Sequence, residues 1–204
     1  MNEDSIDVKQ RRKPVQARSR ERVSTILRHA AEIFNEYGVD GTSMSAIARS
    51  SDMSLASLYR YYPNKAAIVK AIAETHVTKM EQELRDRLAA TDMENAVDVL
   101  VDLYYDFYRN EPAYSAIWSG VESMPELRTL DLNELYTNAR DLDARLKQEL
   151  PGLADERRRS ASLLLPRSVG TILRLAVTLP EEEAESLVRE IKVMAQAYLA
   201  TLAN

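Results

Sequence analysis

A short run of small, polar and aromatic side chains between Ser54 and Tyr61 has the chemistry of a surface that reads nucleic acid. A helix that enters the major groove must be slim, and it must carry groups that bond to base edges. Hydroxyls and a guanidinium contact phosphates and base edges, while small apolar groups contact thymine methyls. The predicted groove-facing residues are Leu55, Ala56, Ser57, Tyr59, Arg60 and Tyr61, whereas Leu58 and Tyr62 are predicted to face inward.

Two short helices joined by a tight turn are predicted to carry this surface. The turn lies at Asp52-Met53, and Ser54 is expected to cap the second short helix, about residues 55–61. The first short helix, about residues 45–51, is predicted to bury Ile47 and Ala48. Thr42 and Ser43 offer oxygen atoms for its N-cap. Thr42 and Ser43 are also placed to hold a phosphate on backbone amides at a helix N-terminus.

A longer helix, about residues 20–37, precedes this pair and is predicted to bury one stripe of side chains. Its apolar residues recur at helical spacing, and Gly38 follows where a left-handed C-terminal cap is favoured. The predicted buried stripe comprises Val23, Ile26, Leu27, Ala30, Phe34 and Tyr37. Pro63 ends the reading helix, and Asn64 is expected to cap the helix that follows.

The ordered set of residues over 20–65 resembles the helix-turn-helix of the tetracycline-repressor (TetR) family of bacterial transcriptional regulators. The resemblance implies DNA contacts at Thr42, Ser57, Tyr59, Tyr61 and Lys65, with Ser54 as the cap of the recognition helix. Asp52 and Ala56 depart from it, since glycine is common at both positions; Asp tolerates the left-handed conformation that the turn needs. The matching residues, in the order G…T…IA…S…LY..Y..K, are Gly38, Thr42, Ile47, Ala48, Ser54, Leu58, Tyr59, Tyr62 and Lys65.

The charges divide the chain in a way that the net charge of −5 conceals. Residues 9–65 carry 11 basic and 5 acidic side chains, whereas residues 66–204 carry 16 basic and 24 acidic ones. A basic N-terminal quarter on an acidic body is typical of phosphate contact. Residues 1–17 are predicted to form a flexible basic arm, and its Arg11-Arg12-Lys13 cluster either reaches phosphates or a minor groove or is simply a solvated tail.

The rest of the chain is predicted to be helical, which makes the fold all-α with about nine helices in two domains. Residues 18–65 form the three-helix DNA-binding domain, and residues 66–204 form the regulatory domain. Capping boxes are expected at Thr91–Glu94 and Ser123–Glu126, and Gly120 is expected to end a short helix that starts at Pro112. The predicted helices of the body are 65–88, 91–109, 112–118, 123–150, 155–179 and 181–203.

The family resemblance implies that these later helices form a pocket for a small-molecule effector and a homodimer interface. Aromatic residues in the middle of the body, together with one arginine, provide a mostly apolar lining with a few polar groups. The candidate pocket residues are Tyr104, Phe107, Tyr108, Tyr114, Trp118, Met124 and Arg167. The same aromatic residues also fit an ordinary core, and Pro166 is expected to kink its helix near them.

The last two helices are predicted to pair with their copies in a second subunit as an intermolecular four-helix bundle. Residues 163–177 form an apolar run in which Ser168 and Gly170 permit close helix approach. Burial of both stripes within one subunit is the alternative. The stripe on the last helix comprises Leu187, Val188, Ile191, Met194, Tyr198 and Leu202.

These features favour a ligand-responsive repressor that binds a palindromic DNA operator as a dimer and is released by an unidentified effector. An enzyme is not expected, because the sequence shows no acid/base pair, glycine-rich phosphate loop or nucleophile motif. A helical protein that binds DNA or a partner without operator specificity is a further alternative. No catalytic residue, cofactor, metal site or membrane span is expected, the chain has no cysteine, and the predicted location is the cytoplasm.

Overall fold

The computed structural model describes residues 17–88, 91 and 93–203, and the basic arm predicted over residues 1–17 therefore lies almost entirely outside it. Nine α-helices and no strand are present in this part of the chain, as the all-α prediction required. They are α1 (Ala17–Tyr37), α2 (Met44–Ser50), α3 (Leu55–Tyr59), α4 (Lys65–Leu88), α5 (Met93–Asn110), α6 (Tyr114–Ser123), α7 (Arg128–Glu149), α8 (Asp155–Ala176) and α9 (Glu181–Ala203), with a 3-10 turn at Pro125–Leu127.

Packing divides the chain into two compact units. The first runs up to Thr78 and includes Glu111–Asp131, whereas the second comprises Lys79–Asn110 and Leu132–Asn204. Each unit consists of residues that contact one another more than they contact the rest of the chain. Helix α6 belongs to the same unit as α1, α2 and α3. The functional boundaries drawn from the sequence, at residues 17 and 65, remain a prediction.

The core of the first unit forms where α1, α2 and α4 bury apolar residues spaced at helical intervals. Ile26, Ala30 and Phe34 of α1 are fully buried, which confirms the centre of the predicted stripe. Tyr37, at the end of that stripe, is 61% exposed, and its assignment to the core was wrong. The stripe ends early because α1 stops at Tyr37 and the chain turns away at Gly38, whose φ is +71°.

The boundaries of α6 differ from those predicted. The helix starts at Tyr114, after a left-handed Ala113, and it continues through Gly120 to Ser123. Ser123 does not open the next helix with a capping box, because its hydroxyl donates to the carbonyl oxygen of Gly120 3.1 Å away. Proline at the first position of the 3-10 turn and Met124 before it make the connection to α7 instead.

The second unit is held together by α5, α8 and α9, with the end of α7 packed against α8 and α9. Leu146, Ala161 and Leu202, from α7, α8 and α9, form one buried cluster. Arg158 of α8 is 9% exposed and bonds through Nε to Asp143 (2.9 Å) and through a terminal nitrogen to Asp155 (2.5 Å). The hydrogen bond from Arg158 and its positive charge lower the pKa of Asp155 below its usual value.

Two further predictions concern Pro166 and the capping box at Thr91–Glu94. Pro166 lies inside α8, which continues on both sides of it as one helix. The hydroxyl of Thr91 donates to the carbonyl oxygen of Arg87 2.9 Å away. The Glu94 half of the predicted capping box lies outside the side chains that the structure describes.

Candidate nucleic-acid interface

Local capping residues position the two short helices as the sequence predicted. Ser43 is the N-cap of α2, and its hydroxyl oxygen accepts a hydrogen bond from the Ala46 amide at 3.2 Å. Ser54 is the N-cap of α3, where it accepts from the Ser57 amide at 3.2 Å and donates to the Ser57 hydroxyl at 2.9 Å. Asp52 makes the turn with φ +50°, the left-handed conformation expected of it.

The outer face of α3 carries most of the residues that were predicted to read DNA. Leu55 and Tyr59 are 39% and 40% exposed, and Ala56 and Arg60 are exposed beside them. Ser57 is half-buried because it takes part in the cap. Leu58 is fully buried, so one anchoring side chain fixes which face of this short helix is outward. The contact of Leu55, Ala56, Ser57, Tyr59 and Arg60 with DNA remains a prediction.

Tyr61 does not belong to this face. It is 9% exposed, and the following Tyr62 is fully buried as predicted. The reason is that α3 ends at Tyr59, so the helical spacing used to assign Tyr61 to the groove face no longer applies beyond that residue. Burial raises the pKa of Tyr62 well above its usual value. Tyr61 and Tyr62 therefore contribute to the buried core behind α3 rather than to its outer face.

Thr42 is also placed differently from its predicted role. It is 5% exposed, its hydroxyl donates to the carbonyl oxygen of Gly38 (2.7 Å) and its amide bonds to that of Val39 (3.3 Å). Both polar groups that were expected to cap α2 or hold a phosphate are therefore used inside the α1–α2 turn. Ser43 alone caps α2, and it is exposed. We expect Thr42 to shape this turn rather than to contact DNA.

Lys65 closes the same turn from the first residue of α4. Its ammonium donates to three carbonyl oxygens, those of Val39, Asp40 (3.3 Å) and Thr42 (2.9 Å). An ammonium has three protons to donate, so this geometry uses all of them within the protein. No sequence pattern indicated this contact, because the partners lie 23 to 26 positions away. The predicted contact of Lys65 with DNA remains untested, but the geometry favours a structural role.

Replacing Lys65 by alanine is therefore expected to lower the free energy of unfolding by about 1–3 kcal/mol, since hydrogen bonds from a charged group are lost. Urea denaturation measures this, with the exposed Lys147→Ala of α7 as the matched control. A phosphate contact would instead reduce the salt dependence of DNA binding by about one charge. We expect an unchanged salt slope, and a reduced slope with normal stability would show that Lys65 contacts the phosphates.

Replacing Ser54 by alanine is expected to destabilise the protein by about 1 kcal/mol, because α3 loses its N-cap. The same change at Ser186, exposed in the second turn of α9, removes a hydroxyl without removing the N-cap. Thermal unfolding of both variants gives the comparison. Equal unfolding temperatures for the two variants would mean that the Ser54 cap contributes nothing to α3.

The residues predicted to line an effector pocket fall into two groups, one in each unit. In the second unit Tyr104 and Tyr108 form an edge-to-face pair with centroids 5.7 Å apart, and Phe107 is buried near them in sequence. Burial raises the pKa of Tyr104 well above its usual value. Arg167 is exposed on α8, so it does not belong to a buried lining.

The first unit contains the other group. Tyr114 and Trp118 of α6 lie one turn apart with ring centroids 5.9 Å apart, and both are almost fully buried. His76 of α4 stacks on Tyr114 with centroids 5.7 Å apart, and its Nε2 lies 3.7 Å from a carboxylate oxygen of Glu111. Neither His76 nor Glu111 was predicted to belong to this cluster. Met124 is half-buried where α6 ends. Whether either group binds an effector remains a prediction.

The stripe predicted for dimerisation on α9 is largely used inside the second unit. Val188, Ile191 and Leu202 are buried, whereas Met194 is 47% exposed. Three of the six residues of that stripe are therefore buried within the subunit, as the alternative required, and Leu187 and Tyr198 are half-buried. The apolar residues that α8 and α9 leave exposed are Leu163, Leu164, Leu175, Val193 and Met194.

Two capped helices, a left-handed turn and an outward polar face on the second helix define a helix-turn-helix DNA-binding protein. Family models match both parts of the chain: "Bacterial regulatory proteins, tetR family" over residues 26–72, and "Tetracyclin repressor-like, C-terminal domain" over residues 91–203. The second match alone covers more than half of the sequence. The chain belongs to the TetR family of transcriptional regulators, which are non-enzymatic DNA-binding proteins.

Curated relatives are similar over part of their length. The chain is 32% identical over 78 residues to the uncharacterized regulator YvdT of Bacillus subtilis, covering 38% of this chain and 40% of that protein. It is 26% identical over 134 residues to the biofilm operon negative regulator IcaR of Staphylococcus aureus, covering 64% and 68%. The chain spans 40–46% of the length of YvdT, of YobS and of the nucleoid occlusion factor SlmA from Mannheimia succiniciproducens.

Solved structures share the fold over nearly the whole chain. A TetR-family regulator from Streptomyces coelicolor superimposes with a TM-score of 0.70 at 24% identity, covering 91% of this chain and 99% of that one. GusR of Salmonella enterica gives 0.68 at 24% identity, covering 91% and 98%. Among the described helices, none is long and apolar enough to cross a membrane.

Proposed function

We propose that the chain is a ligand-responsive repressor that binds a palindromic operator as a homodimer and is released by a small-molecule effector. The outward face of α3 carries the proposal: exposed Tyr59 and Arg60 extend from a helix that the buried Leu58 fixes to the protein. Hydroxyl and guanidinium groups bond to base edges and phosphates, and the small Ala56 leaves room for close approach. Such a regulator acts where the chromosome lies, so we propose a cytoplasmic location.

A palindromic operator needs two identical readers, and a dimer provides them. Apolar side chains exposed on α8 and α9 support such a dimer. Leu164 and Leu175 are 51% and 49% exposed and lie eleven residues apart, about three turns, so they share one face of α8. On α9, Val193 and Met194 are 58% and 47% exposed. Large apolar side chains grouped at exposed positions are typical of a protein interface.

Repression is favoured over activation by two named likenesses. The relative IcaR is a negative transcriptional regulator of an operon. A structural neighbour, NalD of Pseudomonas aeruginosa, is described as a secondary repressor of a multidrug efflux pump, with a TM-score of 0.63 at 20% identity. We extend the sign of regulation to this chain as a proposal, whereas the operon and the pump belong to those proteins.

The effector is proposed to bind at one of the two aromatic groups. Trp118 supports the group on α6: it is 2% exposed, and no described residue accepts a hydrogen bond from its buried indole Nε1. A buried donor without a partner is costly, and a ligand acceptor would remove that cost. Coupling of about 2.7 kcal/mol between effector and operator would change operator affinity by about a hundredfold.

Selection of bound sequences from random DNA tests the proposed function. A regulator of this kind should enrich one palindromic sequence, whose half-sites lie about one helical turn or a small multiple apart. Uniform weak binding of all sequences would instead support a protein without operator specificity. With the operator in hand, a compound panel is scored both for binding and for operator release. Compounds that bind with no effect on operator affinity would argue against release by an effector.

A further inference from the structure

Helix α6 packs with the DNA-binding helices although its residues lie in the range matched by the C-terminal family model. Residues 111–131 belong to the same compact unit as everything described up to Thr78. Within that unit, α6 contacts α1. A segment of the regulatory part of the sequence is thus built into the unit that carries α2 and α3. The contact that joins them is therefore a place where regulation and DNA reading meet.

Gly120 of α6 also lies against Val39, the residue that follows Gly38 in the α1–α2 turn. A Cβ added at Gly120 would lie 2.9 Å from one methyl of Val39 and 3.3 Å from its Cβ. Among the described glycines only Gly38 has a positive φ, so the backbone at Gly120 does not require glycine. The requirement is space: the backbone of α6 lies directly against a side chain that is 5% exposed.

The backbone of Val39 is held by α4. Its carbonyl oxygen accepts from the ammonium of Lys65 and from the Thr42 amide at 3.3 Å. Thr42 then leads directly to Ser43, the N-cap of α2. One residue therefore touches α6 through its side chain and α4 through its carbonyl group, four positions before the cap of the helix-turn-helix.

We infer that Val39 is a positioning residue through which α6 sets the orientation of α2 and α3, so that a displacement of α6 changes operator affinity. The inference rests on the proposed function and identifies where regulation reaches the reading helix. A β-branched side chain has few rotamers, and a close-packed interior has no room to absorb a shift. Motion of α6 toward Val39 must therefore move the turn, and Lys65 limits how the turn can respond.

Substitution of Gly120 by alanine imposes such a displacement without any effector. We expect G120A to weaken operator binding by about fivefold or more, the lower end of typical coupling between sites. Amide hydrogen exchange over residues 42–62 is expected to change in the same variant. The full-length protein is used throughout, and Gly152→Ala is the matched control because a Cβ there meets nothing within 4 Å.

Val39→Ala removes the two methyl groups that the Cβ added at position 120 would meet. It therefore separates the contact with Val39 from other effects of G120A. In the V39A background, G120A should change operator affinity by less than about twofold, because the 2.9 Å contact is removed and only the 3.3 Å contact with the Cβ of residue 39 remains. Loss of affinity from G120A that is equally large in the V39A background overturns the inference. So does a folded G120A variant with wild-type operator affinity and wild-type exchange.

The exchange measurement keeps this test separate from that of the proposed function. If the wild-type protein selects no operator, the proposed function fails, and exchange over residues 42–62 in G120A still decides whether α6 controls the turn. If G120A fails to fold, V39A alone decides, because opening the contact should alter exchange over α2 and α3. Exchange in V39A that matches the wild type in these helices overturns the inference.

Discussion

Replacing Tyr59 by alanine is expected to weaken operator binding by about 1–3 kcal/mol, or roughly 5- to 150-fold. Tyr59 is 40% exposed on α3 and projects a ring and a hydroxyl away from the protein. A hydroxyl at this position bonds to a phosphate or a base edge, and truncation removes that bond together with the ring contact. Folding should be little affected, because the buried Leu58 and Tyr62 hold the helix in place.

Tyr136 provides the matched control for this prediction. It is 55% exposed on α7, in the other unit, so Tyr136→Ala makes the same chemical change at an exposed helical site. Fluorescence anisotropy with the selected operator compares the two variants, and their unfolding curves verify that both are folded. Wild-type affinity in Tyr59→Ala, or an equal loss in Tyr136→Ala, would remove α3 as the reading helix.

Most of the predicted local structure depends on residues that act on their immediate neighbours. Gly38 adopts φ +71° where a left-handed cap was expected, and its amide bonds to the Phe34 carbonyl. Asn64 caps α4 by accepting from the Ala67 amide at 2.9 Å. Such signals act over four residues or fewer, so a single sequence is sufficient to interpret them. The order of the helices and the outward face of α3 follow from them.

Local patterns do not indicate contacts that join residues distant in the sequence. The DNA contact of Lys65 stays a prediction, whereas the bonds from its ammonium to carbonyl groups of a turn more than twenty positions earlier had no signal in the sequence. Gly120 was predicted to end a helix, whereas its lack of a side chain admits Val39. A lysine or a glycine has the same local signature in either role. Tertiary packing decides between the roles, and periodicity contains no information about it.

The dimer prediction depends both on local periodicity and on tertiary packing. Periodicity identified α8 and α9 as apolar, but it did not separate residues that pack within the subunit from those that remain exposed. Ile191 and Leu202 are buried against neighbouring helices, whereas Val193 and Met194 are exposed on the same α9. An interface requires apolar residues left over after the subunit core is complete. The exposed leucines of α8 therefore argue for the dimer more strongly than the predicted stripe did.

Replacing Leu164 by glutamate is accordingly expected to convert the proposed dimer into a monomer. Each carboxylate buried without a partner costs about 3 kcal/mol or more, and a two-fold symmetric interface contains the substitution twice. Sedimentation velocity at micromolar concentration measures the change directly. Operator affinity should fall by about a hundredfold or more, because the two half-sites are no longer bound by one linked pair of readers.

Leu132→Glu is the control, since Leu132 is 40% exposed on α7 and outside the proposed interface. It introduces the same charge on a helix surface, so it should preserve both the dimer and operator binding. Leu164 is exposed in the subunit, so its replacement should leave the helices of the subunit intact. Circular dichroism verifies that Leu164→Glu retains these helices. A dimer that survives Leu164→Glu would move the interface away from this face of α8. A monomer with full operator affinity would show that paired readers are not needed.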